Sequence, residues 1–148
     1  MKRREYKIQD YFNSWLTKES AQLEDIFTNE VFYSECYGPE YHGIDQILKW
    51  FNDWNKRGTV LQWRIKHFIH EGNCTVAEWY FECDFDGVRD EFNGVSIILF
   101  SSDEKIVSLK EFQSKSKHYL PYGKGTSVKG PVPLTFQYEK FGEGKAYG

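Results

Sequence analysis

Between residues 61 and 112 apolar and polar side chains alternate in four runs parted by short polar turns. The first run sets Leu61, Trp63, Ile65, His67 and Ile69 on one side against Gln62, Arg64 and Lys66 on the other. The second sets Ala77, Trp79, Phe81, Cys83 and Phe85 against Glu78, Glu82 and Asp84. A period of two sends successive side chains to opposite faces, so the pattern predicts an antiparallel sheet with one buried face. Glu71-Gly72-Asn73 and Asp86-Gly87 have hairpin chemistry, and Ser102-Asp103-Glu104 reads as a polar loop. Two tryptophans, a histidine and several phenylalanines on the inner face suit a curved sheet around a pocket.

Upstream the period changes to that of a helix. Ile8, Tyr11, Phe12, Trp15 and Leu16 form an amphipathic stripe and predict a helix over 7–17. Leu23, Ile26 and Phe27 predict a second over 21–28 that Ser20 can cap. A brief strand from Val31 to Cys36 follows, then a break at Gly38-Pro39. Ile44, Ile47, Leu48, Phe51 and Trp54, with Trp50 flanking, predict a third helix over 43–57, ended by Gly58 after Lys56-Arg57. Helices followed by strands indicate an α+β fold. From Tyr119 the periodicity stops, and Leu134-Thr135-Phe136-Gln137-Tyr138 is the one candidate strand beyond it. The division expected is a domain over 1–122 and a Gly- and Pro-containing extension over 123–148, without internal repeats.

The chain has 148 residues, 40% hydrophobic and 28% charged, which fits one soluble globular domain. Its 5 Trp, 10 Tyr and 12 Phe are unusual. Such rings fill cores economically, and they also line ligand cavities. The net charge of −3 comes from mixed signs, and no basic patch interleaves with aromatics, so nucleic acid is not an expected partner. No apolar run reaches membrane-spanning length and no signal peptide is evident; a cytoplasmic protein is expected. Cys36, Cys74 and Cys83 lack CxxC spacing and read as reduced thiols, and the Asn73-Cys74-Thr75 triplet reads as chance without export.

Several motifs carry a family resemblance: Tyr11-Phe12-Asn13-Ser14-Trp15, Phe32-Tyr33-Ser34-Glu35, Tyr41-His42-Gly43-Ile44, Val76-Ala77-Glu78-Trp79, and the run Lys105 to Phe112. From about Tyr6 to Phe112 the chain resembles the nuclear-transport-factor-2-like superfamily, which includes SnoaL-like polyketide cyclases and ketosteroid isomerases. The resemblance implies a cone of curved sheet closed by three N-terminal helices around an internal pocket, with dimerisation through the sheet. It does not decide chemistry, because one fold serves many functions. Counted back from Gly43, the carboxylate base of ketosteroid isomerases would fall at Ser34. Counted back from Phe100, their protonated oxyanion-hole acid would fall at Ser96. Neither hydroxyl can do that work. The helix-1 tyrosine of those enzymes could correspond to Tyr11. A shift of one residue would bring Glu35 to the base position, but would turn Phe32 and Ser34 outward, and the alternation as read disfavours it.

Among polar groups, His67 shares its face with Trp63 and Ile65, and is either an acid or base near neutrality or a core histidine. Glu111 shares the inward parity of Leu109, and is either a general base with a raised pKa or half of an ion pair. Tyr11 and Ser96 can donate to a ligand. His67 and His70 point to opposite faces and cannot share a metal, so neither metal nor cofactor is expected. The expected catalytic groups are therefore Glu111, His67 and Tyr11. The expected ligand-binding wall is Trp15, Phe32, Trp50, Trp54, Trp63, Trp79, Phe81 and Ser96. Tyr80, Ile106 and Phe112 on the outer face point to a homodimer. The expected function is binding of a small apolar or aromatic ligand, with or without cofactor-free proton transfer. The rival is a non-catalytic dimerisation or partner-binding module.

Overall fold

The computed structural model describes residues 1–123, so the candidate strand at Leu134 lies outside the described residues. In chain order the elements are α1 (Lys2–Thr17), α2 (Leu23–Ile26), β1 (Phe27–Ser34), β2 (Glu40–His42), α3 (Ile44–Arg57), β3 (Gly58–Glu71), β4 (Cys74–Phe85), β5 (Val88–Phe100) and β6 (Ile106–Lys115). The six strands form one sheet in the order β2-β1-β6-β5-β4-β3. Strands β3 to β6 run as an antiparallel meander, as the alternation predicts. At the β4–β5 turn Asp86 and Gly87 both have positive φ, 52° and 82°, the signature of the tight hairpin turn.

The sheet is not wholly antiparallel. β1 lies parallel to β6, pairing Tyr33 with Leu109 and Ser34 with Lys110. The two strands are separated in sequence by α3 and the meander, and a connection of that length permits a parallel partner where a hairpin would not.

The helical layer also departs from three N-terminal helices. α1 is long, while α2 is a single turn whose N-cap is Gln22 rather than Ser20 and makes no side-chain cap bond. α3 follows only after β1 and β2. The spacing of Leu23, Ile26 and Phe27 fits a helical stripe, yet one turn leading into a strand buries the same three side chains. Periodicity over five residues cannot separate the two.

β3 carries two register shifts, one between Val60 and Gln62 and one between Ile65 and His67. Each extra residue reverses the parity that follows. Val60 is therefore buried and Leu61 exposed, while beyond Lys66 it is Phe68 that packs on the core. His67 is thereby turned to the outer face opposite Glu78, and it is exposed. A similar shift at Leu99/Phe100 buries Ile106 completely, so it does not belong to the outer face either.

Aromatic rings pack against one another on the concave face of the sheet. Phe12 of α1 stacks on Trp63 with centroids 3.8 Å apart, and Trp63 meets Trp79 and Phe81 edge-on at 5.6 Å and 5.3 Å. Gly94 makes room for this layer: a Cβ there would lie 2.2 Å from the Trp79 ring and 2.5 Å from the Phe112 carbonyl oxygen. Backbone cannot yield as a flexible side chain does, so Gly94→Ala is expected to destabilise by about 1–3 kcal/mol, the usual cost of overpacking. Thermal or urea denaturation checks this; an unchanged midpoint would show that the layer has slack.

Candidate functional site

The site begins with a buried carboxyl. Glu111 projects from β6 to the concave face and is 9% exposed. The Tyr33 hydroxyl, from β1, donates to its Oε2, and the Cys36 backbone N–H, 3.4 Å away, donates to Oε1. Tyr11 of α1 in turn donates its hydroxyl to that of Tyr33 at 2.7 Å. Both tyrosines are fully buried. A chain of hydrogen bonds thus runs from the helix through the first strand to the last.

Burial raises the Glu111 carboxyl to about 8; the Tyr33 bond opposes the rise, the charge of Glu35 adds to it, and the Cys36 amide opposes it. Burial likewise holds the Tyr11 and Tyr33 phenols well above their ordinary range, each raised further by the Glu111 charge. At neutral pH the phenols keep their protons, and Glu111 can hold one or release it.

Glu35 is the second carboxyl, on the segment that leaves β1. It is raised by burial and partly held down by the Tyr41 hydroxyl, which donates to Oε2 at 2.7 Å. Trp50 of α3 stacks on Tyr41 with centroids 4.6 Å apart and contacts Tyr33 at 5.0 Å. Beyond Glu35 a cleft of about 510 Å³ opens between the β1–β2 loop, the end of α3 and the β4–β5 hairpin. Glu35, Tyr37, Trp54, Cys83, Phe85 and Asp90 line most of it. Gly58 lets two of these walls meet: a Cβ there would come within 2.8 Å of both Trp54 and Phe85. Glu111 lies behind this lining, joined to it through the Cys36 amide.

The residues expected from sequence fall into separate groups. Tyr11 and Glu111 share the buried chain. Trp15, Trp50 and Trp54 cluster between α1 and α3, with Trp15 4.8 Å from Trp50 and 5.5 Å from Trp54. Trp63, Trp79 and Phe81 belong to the packed ring layer. Ser96 is buried there, its Oγ accepting the Trp79 indole N–H at 2.9 Å. It serves the core. Phe32 faces the other side of β1, half-buried against the His42 ring at 5.0 Å, and His67 stands apart on the outer face.

Tyr33 and Tyr41 escaped the sequence reading, and Glu35 was weighed there as a base and disfavoured. The register disfavoured there is the one β1 adopts: Val31 and Tyr33 are buried, and Phe32 and Ser34 are only half-buried. The parity of Val31, Tyr33 and Glu35 was the available signal, masked by the large apolar Phe32.

The curved sheet with helices on one face, and a polar group in its concavity, define an α+β protein of the nuclear-transport-factor-2-like superfamily. Residues 8–109 match the SnoaL-like domain, and the chain belongs to that family. Among curated proteins none matches the chain. A protein with a ketosteroid-isomerase-like fold from Catenulispora acidiphila, solved in complex with trimethylamine, is similar at TM-score 0.65 and 17% identity, over 74% of this chain and 86% of that one. A candidate polyketide cyclase from Xanthomonas campestris is similar at 0.63 and 13%, over 76% and 91%. An LEH-like epoxide hydrolase from M. tuberculosis is similar at 0.65 and 9%, over 74% and 80%. At such identities the likeness is one of fold.

The raised carboxyl has a consequence for stability. A carboxyl raised on folding stabilises the fold fully below its unfolded value, near 4.5, and that contribution fades as pH rises through about 8. Glu111→Gln, which mimics the neutral acid, is expected to flatten this fall, so its Tm relative to wild type should rise from pH 5 to pH 9. Melting curves across that range check it; a constant difference would mean that Glu111 ionises freely in the folded protein.

Proposed function

We propose that this protein binds a small ring-containing molecule in the cleft and catalyses cofactor-free proton transfer on it. The observation that carries this reading is the pair of carboxyls, Glu35 on the cleft wall and Glu111 behind it, both raised by burial and each hydrogen-bonded by a tyrosine. Glu35 reaches the cleft directly and is the group to take a proton from a bound carbon acid. Glu111, linked through the Cys36 amide and backed by Tyr33 and Tyr11, sets the charge beside it. Two carboxyls whose surroundings separate their proton affinities are suited to divided acid and base roles.

The test is deuterium incorporation from D2O into a panel of cyclic ketones, with and without an appended amine, followed by NMR. Glu35→Gln should lower exchange at least a hundredfold, within the usual range for losing a general base. Glu111→Gln should lower it too and shift its pH profile, while leaving the fold intact at neutral pH. Exchange that is unchanged in both variants would end the catalytic reading.

A second reading rests on the outer face of the sheet, where Phe112 and Ile97 are exposed at 52% and 38% beside a shallow groove lined by Lys66, Glu78, Val95 and Phe112. Exposed apolar surface of this kind favours a homodimer through this face. Phe112→Ser should shift a dimer towards monomer in sedimentation at micromolar concentration. A 17.6 kDa species for the wild-type chain would refute the dimer.

A further inference from the structure

The cleft has a chemical character that narrows what it can hold. Among the described residues its lining combines three rings, Tyr37, Trp54 and Phe85, with three carboxylates, Glu35, Asp86 and Asp90, and contributes no cationic side chain. Asp86 is neutralised from outside the lining, where Arg57 pairs with it and places its guanidinium 4.8 Å above the Phe85 ring. Among the described residues Glu35 and Asp90 have no such partner; each is met by a tyrosine hydroxyl, from Tyr41 at 2.7 Å and from Tyr37 at 3.1 Å. A hydroxyl bond orients a carboxylate but leaves its charge in place.

From this geometry we infer that the ligand of the cleft is an organic cation, a protonated or quaternary amine carrying apolar substituents, rather than an anion or a neutral molecule. The inference rests on the cleft proposed above as the binding site, and it names the ligand class. Trp54 and Phe85, whose centroids lie 5.4 Å apart, offer π-surface to the alkyl groups of such a cation. Asp90 and Glu35 supply the charge. In the acidic row of Glu78, Glu82 and Asp84 on β4, by contrast, Glu82 is paired with Arg89 and Glu78 feels the charge of Lys66.

The surrounding groups report the same negative field. Burial raises the Cys83 thiol to about 11, with Asp90 adding to the rise. Burial also raises the Tyr37 phenol, with Asp90 among the charges that push it further, and the Cys36 thiol is raised by burial and then by Glu111 and Glu35. A phosphate or carboxylate entering here would meet uncompensated like charge, and a neutral ring would leave that field unanswered.

Three probes of nearly equal shape separate the alternatives: choline, its neutral isostere 3,3-dimethylbutan-1-ol, and 3,3-dimethylbutanoate. Binding is followed by NMR shifts of the Trp54 indole and by calorimetry at low and high salt. Choline is expected to bind roughly tenfold more tightly than the alcohol, with the carboxylate weakest and the difference shrinking in salt. Asp90→Asn should weaken choline about threefold or more without affecting the alcohol, and Trp54→Leu should weaken both. Trp54→Phe, which keeps a ring, checks that a loss is not simply a fold defect. Equal binding of choline and the alcohol, tighter binding of the carboxylate, binding of none of the three, or indifference of choline to Asp90→Asn would each overturn the inference. Ketone exchange without choline binding would sink this inference and leave the catalytic reading standing, whereas choline binding without exchange would do the reverse.

Discussion

A carboxyl group buried under a helix is the constraint around which this fold is arranged. Glu111 sits on β6, its main donor Tyr33 on β1, the next donor Tyr11 on α1, and its amide partner at Cys36 beyond β1. Leaving any buried member unpaired costs about 1–3 kcal/mol, more for a charged group. The chain of bonds therefore fixes how the helix lies on the sheet and which face β1 presents. The parallel pairing of β1 with β6 sets Tyr33 opposite Leu109, two residues before Glu111 on the same face, within reach of it.

The ring layer solves a different problem. Phe12, Trp63, Trp79, Phe81 and Phe92 pack together in the concavity that a curved sheet leaves beneath α1, and the cleft opens at the margin of this core. The cleft is at that margin because the β4–β5 hairpin and the loop after β1 diverge there, with Trp54 at the end of α3 bridging them. Core and site are thus built from the same residue type under opposite demands. Where rings meet rings they close the core; where they meet Glu35 and Asp90 they line the open cleft.

Burial also does the chemical tuning. Among the described residues no cation contributes to the proton affinity of Glu111, so desolvation prevails and raises the carboxyl to about 8. Glu35, closer to the cleft, experiences the same effect in weaker form. A single gradient of exposure across two carboxyls separates their proton affinities.

Much of this was legible in the chain. Alternation over residues 74–100, the hairpin turns at Gly72 and Gly87, and the stripes of α1 and α3 are local consequences of side-chain period and turn chemistry, and each element forms where its pattern lies. The inward placement of Glu111 followed from its parity with Leu109 on an unbroken stretch of strand. What only tertiary structure decided were the breaks in parity. Bulges in β3 turned His67 out, the shift at Phe100 took Ile106 into the core, and the docking of β1 on β6 chose Tyr33 over Phe32. A bulge is set by how two strands must curve to pack together, and no residue at its own position announces it. The nearness of Glu35 to Glu111 arises the same way, from residues 76 apart in sequence whose neighbourhood exists only once the sheet has closed.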